Sequence, residues 1–146
     1  MKRISVILII GLVLVACGEQ TEPLMPLDKG APNTVTLSNG EVVYKLDGEW
    51  SCVLKTSKFE EVEDIIKISQ DGNKFVGTRL KDGEDGLKGT EIIKGELEKN
   101  GFKSLSVKTT SEGWKPATAK ISENCNKIVY KAKVREHGLE ITTTRK

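Results

Sequence analysis

The stretch Lys127-Ile128-Val129-Tyr130-Lys131-Ala132-Lys133-Val134 decides the fold. Ile128, Tyr130, Ala132 and Val134 alternate with Lys127, Val129, Lys131 and Lys133. Successive side chains of a β-strand point to opposite faces, so this segment buries one face and wets the other. The same period of two runs outward in both directions. It predicts strands at about 116–122, 102–109 and 89–98 before the quoted stretch and at 139–145 after it. Asn100-Gly101, Ser111-Glu112-Gly113, Asn124 to Asn126 and His137-Gly138 supply the turns between them.

Nearer the start, Trp50, Cys52 and Leu54 share one face of a strand opening at Gly48, with Ser51 and Lys55 on the other. Asp71-Gly72-Asn73 joins a strand at 64–70 to one at Lys74–Leu80, and Lys81 to Gly86 is a polar loop. Phe59, Val62 and Ile66 would share a helical face, so a helix over 58–69 competes with a short turn followed by the strand. The β-branched Ile65, Ile66 and Ile68 favour the strand. Val35 and Leu37, then Val42, Tyr44 and Leu46, flank Asn39-Gly40 and suggest an extra hairpin. Eight sequential strands with short connections imply an antiparallel meander. Closing it removes the exposed edges. The expected fold is all-β, an antiparallel up-and-down eight-stranded barrel.

The chain begins with Lys2 and Arg3, then an apolar run from Ile4 that ends Leu14-Val15-Ala16-Cys17. The run is about thirteen residues, whereas a spanning helix needs roughly 20. The layout resembles the lipobox signal of a bacterial lipoprotein. That resemblance implies cleavage before Cys17, lipid on its sulfur, and a domain held at the membrane outside the cytoplasm. Gly18 follows the cysteine, and in a Gram-negative host this implies the outer membrane, facing the periplasm. The competing reading is an ordinary signal peptide cut elsewhere, or a short anchor. The expected organisation is a leader at 1–16, a lipidated N-terminus and linker with Pro23, Pro26 and Pro32 at 17–33, and a barrel domain at 34–146.

Removing the leader takes away Lys2 and Arg3 and no acidic residue, so the formal charge falls from +2 to zero. A neutral domain gives no electrostatic case for nucleic acid. With Cys17 used by lipid, Cys52 and Cys125 remain. In an oxidising compartment they are expected to form a disulfide, worth about 4 kcal/mol at most on chain entropy. The rival, a metal ligand or nucleophilic thiol, lacks a basis. His137 is the only histidine, and neither cysteine has a partner at ligand spacing.

Gly48-x-Trp50 on the first barrel strand and Arg145 in Ile141-Thr142-Thr143-Thr144-Arg145 resemble the calycin superfamily, which includes the lipocalins and fatty-acid-binding proteins. The resemblance covers Gly48 to Lys146. It implies that Trp50 closes one end of a lipocalin-like barrel and that Arg145 packs its cation across the indole. Gly48, Trp50 and Arg145 would then be structural. The region is short for a lipocalin, which implies a small or filled cavity. Envelope lipoproteins that inhibit lysozyme are similar in architecture only, because their Ser-Gly loop motif is not evident here.

Other chemistry is sparse. Asp82-Gly83-Glu84-Asp85-Gly86 lacks the spacing of a calcium loop and reads as a solvated turn. Glu60, Glu61 and Glu63 could pair for glycoside hydrolysis but sit in no visible pKa-raising setting. There is no Gly-x-Ser-x-Gly elbow and no phosphate loop among Gly72, Gly77, Gly83 and Gly86. These residues predict no catalytic site, metal or cofactor. The expected function is non-enzymatic binding, foremost of a protein partner through the loops, as an inhibitor or assembly partner. Trp114 is a candidate surface anchor or a cap on one barrel end. The alternative is carriage of a small apolar ligand lined by Leu54, Ile66, Ile68, Ile93, Leu105, Ile121, Tyr130 and Ile141. A hydrolase is the remote alternative.

Overall fold

A computed structural model describes residues 33–56, 61–83 and 86–146. The leader, Cys17, the linker to residue 32, and Phe59, Glu60, Glu84 and Asp85 lie outside the described residues. A short hairpin comes first, β1 (Thr34–Thr36) and β2 (Val42–Tyr44), turning at Asn39-Gly40. Eight strands follow: β3 (Gly48–Thr56), β4 (Val62–Asp71), β5 (Lys74–Arg79), β6 (Glu91–Glu98), β7 (Gly101–Thr109), β8 (Gly113–Ile121), β9 (Lys127–Val134) and β10 (His137–Arg145). Each pairs antiparallel with its sequence neighbours, and β10 pairs with β3 to close the barrel. The up-and-down eight-stranded barrel is therefore observed.

The helix over 58–69 is excluded from Val62 onward. Asp64, Ile66, Ile68 and Gln70 share the inward parity of β4, and the strand pairs along its length with β3 and β5. The segment Glu112-Gly113-Trp114-Lys115-Pro116 reads from the sequence as a turn, but Trp114 lies on strand β8. Thr109 Oγ1 accepts from Glu112 N–H and donates to the Gly113 carbonyl, which tightens the β7–β8 turn and starts β8 earlier than expected.

The interior is the core. Trp50, Ile66, Ile68, Phe75, Ile93, Leu97, Leu105, Val107, Ile128 and Tyr130 are buried in one cluster. Close packing of this kind leaves little room for added volume. Gly95 shows how little: a Cβ there would overlap the Ser104 carbonyl and press on the Phe75 ring. A bulge opposite Glu96 and Leu97 leaves Lys103 as the extra residue and turns Phe102 towards Leu97.

Candidate functional site

One end of the barrel is sealed by its own residues. The Trp50 indole is fully buried, and its Nε1 donates to the Leu46 carbonyl at 2.8 Å. The Arg145 guanidinium lies over that ring, 4.4 Å from its centroid. Its nitrogens donate to the carbonyls of Asp47 (2.7 Å), Lys45 (2.6 Å) and Cys125 (3.4 Å). Gly48 has φ 130°, a conformation side chains rarely adopt, and its Cα faces Arg145 Nη1. Val43, Tyr44 and Leu46 of the β1–β2 segment complete the seal. Gln70 fastens it, accepting from Leu46 N–H and donating to the Tyr44 carbonyl. Gly48, Trp50 and Arg145 thus stand together, as the sequence resemblance implied.

The cysteines do not form the expected disulfide; both thiols are free and buried. Cys52 follows the inward phase of β3, and its Sγ lies 3.5 Å from Thr143 Oγ1 in the middle of the barrel. Cys125 sits in the β8–β9 turn at φ 54°, its Sγ 3.7 Å from Arg145 Nη2 and 3.5 Å from the Lys45 carbonyl. The thiols therefore belong to different layers. One lies in the barrel's middle, and the other lies at the seal that Arg145 and Trp50 form. Burial, offset partly by the Thr143 hydrogen bond, pushes the Cys52 thiol up to about 11. A thiol so placed is protonated at neutral pH and is no nucleophile.

The residues expected to line a ligand all face inward. Ile66, Ile68, Ile93, Leu105, Tyr130 and Ile141 are buried, and Leu54 and Ile121 pack against them. They fill the space by touching one another. Among the described residues two shallow hollows lie outside the barrel wall. One, of about 470 Å³, is lined by Leu37, Glu41 and Asn73 of the hairpin side, and the other, of about 310 Å³, by Val76, Lys94 and Ser106 of the outer wall.

The opposite end carries exposed apolar side chains. Val62 has the inward phase of β4 but is 42% exposed, and Leu87 in the β5–β6 loop is 72% exposed. Below them Asp64 Oδ2 meets Arg79 Nε at 2.9 Å, with most of both side chains covered. Arg79 Nη1 also donates to the Gly86 carbonyl, and Gly83 and Gly86 bridge to each other, so the pair holds the loop that presents Leu87. The alternation of β4 contained this signal: Asp64 occupies an inward position between Val62 and Ile66, and a carboxylate there needs a partner. Sequence reasoning missed both the pair and the exposed rim.

Other sequence candidates are dispersed. Glu61 pairs with Lys55, while Glu63 points outward from β4. His137 is exposed at the start of β10. Among the described residues no group of three or more His, Cys, Asp or Glu gathers as metal ligands. Trp114 is half-buried on the outer wall of β8, with Lys94 Nζ 4.2 Å from its ring centroid. Its two sides are thus unequal, one covered by an ammonium. Comparison with known protein families and with curated proteins returns no match.

Proposed function

We propose that this chain is a non-enzymatic binding module of the bacterial envelope, tethered through lipid on Cys17, that engages a protein partner with the end opposite the Trp50–Arg145 seal. Exposed Val62 at the start of β4 and exposed Leu87 in the β5–β6 loop carry the reading. Large exposed apolar side chains form the kind of surface that a partner covers. The Asp64–Arg79 pair beneath gives that rim a defined shape. The packed interior counts against carriage of a ligand deep in the barrel, and the high thiol pKa of Cys52 counts against cysteine chemistry.

Two measurements test this. Mass analysis of the purified envelope protein should find the chain starting at an acylated Cys17, and Cys17→Ser should abolish the modification. Crosslinking in intact cells should trap a defined protein with the native chain and lose it with Leu87→Ser. Trapping of the same protein by the Leu87→Ser, Val62→Ser double variant would remove the rim as the binding surface.

A further inference from the structure

Strands β7, β8 and β9 contain seven lysines and not one carboxylate in their residues. They are consecutive in the barrel, so their outer faces form one wall. Lys103, Lys108, Lys120, Lys127, Lys131 and Lys133 are exposed on it. Lys103 is answered by Glu96 and Lys131 by Glu140, both from strands flanking the wall. Lys108, Lys120, Lys127 and Lys133 have no acidic partner among the described residues. Between these lysines the wall carries Trp114, Pro116 and Val129, and Lys108 is paired directly across from Trp114. The barrel elsewhere mixes signs: β4 alone has Glu63, Asp64 and Asp71 beside Lys67.

The chain enters the described fold at the foot of this wall. The Asn33 amide donates to the Asn124 carbonyl at 3.2 Å, in the turn that joins β8 to β9. Everything before Asn33, including Cys17, connects there.

We propose that this wall seats the domain on an anionic lipid surface. Long lysines around an indole suit a charged headgroup layer, where ammoniums meet phosphates and the ring sits at the apolar boundary. The entry point at Asn124 lets a chain anchored in the same membrane bring the wall against it. The exposed Val62 and Leu87 belong to β4 and the β5–β6 loop, outside this wall, and stay available. The proposal does not rest on the rim's having a partner, and it is tested without the lipid anchor.

The experiment uses the chain without its leader and with Cys17→Ser, mixed with vesicles and sedimented. Vesicles of phosphatidylcholine with about 30% phosphatidylglycerol should bind at least about tenfold more protein than phosphatidylcholine alone, and about 0.5 M NaCl should reverse this. The variant Lys108→Glu, Lys120→Glu, Lys133→Glu should lose about tenfold or more, and Trp114→Ala should lose binding and the blue shift of tryptophan emission. The control Lys67→Glu, Lys74→Glu, Lys88→Glu changes net charge equally on other faces and should retain binding. Circular dichroism checks that each variant is folded. Equal binding to both vesicle types, or equal loss in the control, would overturn the proposal. So would binding to soluble polyglutamate as tight as to vesicles at matched charge, which would make the wall a seat for acidic protein.

Discussion

Trp50 and Arg145 face each other across the β3–β10 seam, the guanidinium carbon 4.4 Å above the indole. The cation also gathers three backbone carbonyls, from Lys45, Asp47 and Cys125. One side chain therefore ties the last barrel strand to the first, to the segment after β2 and to the β8–β9 turn. A cation over an indole contributes about 0.5–2 kcal/mol, and each charged hydrogen bond adds about 1.5–3 kcal/mol at most. Arg145→Ala should cost about 2–4 kcal/mol in a urea titration. Arg145→Lys should recover only part of this, because an ammonium lacks the planar fork that reaches several carbonyls at once.

The two buried thiols make a chemical prediction. In the native chain with Cys17→Ser, Cys52 and Cys125 should react slowly with a thiol reagent at pH 8, and unfolding in denaturant without reductant should release two reactive thiols. Release of none would mean that the pair is oxidised.

Cys52 also sets a pH limit. Its folded pKa is raised from 9.0 to about 11. The folded state therefore holds the proton more tightly than the unfolded state. The corresponding stability is full below the unfolded value and is lost as pH rises from 9 to about 11. Burial raises Tyr130 as well, so it acts in the same alkaline direction. Urea midpoints should fall across this window, and Cys52→Ala should flatten the fall by roughly 2 kcal/mol.

The Asp64–Arg79 pair should be worth more broken than measured whole. Asp64→Ala leaves a largely covered guanidinium without its carboxylate and should cost about 1–3 kcal/mol. The double change Asp64→Leu, Arg79→Leu should cost less than Asp64→Ala alone, while freeing the loop at Gly86 that presents Leu87. Faster amide exchange at Gly86 would report that release.

Gly95 tests the packing of the wall. Gly95→Ala forces a methyl into the Ser104 carbonyl and the Phe75 ring, and should cost about 1–3 kcal/mol by thermal melting.

The barrel was legible because its signal repeats. Each strand carries the period of two, and Ile128, Tyr130 and Ala132 show it without interruption. The Trp50–Arg145 closure was legible through resemblance, since nothing in the alternation says that residues 95 positions apart will meet. The disulfide expectation rested on cysteine number and an expected compartment, whereas position sets the thiols apart: alternation aims Cys52 into the middle layer, and a left-handed turn aims Cys125 at Arg145. The exposure of Val62 and Leu87 was obscure for a different reason. Leu87 sits in a loop whose composition reads as solvated, and Asp64 finds Arg79 only through the register of β4 on β5.

The seam between β3 and β10 also dictates when this molecule can fold. β3 has one neighbour close behind it in sequence and the other some 80 residues later. Until β10 arrives, the nascent sheet has two raw edges and an unsealed floor, and Trp50 waits without its cation. Ring closure of such long range is slow, on the order of milliseconds to seconds. A chain that emerges from its N-terminus therefore becomes a barrel only after β10 has emerged. During that interval the free edge of β3 is what must be kept from pairing with other strands.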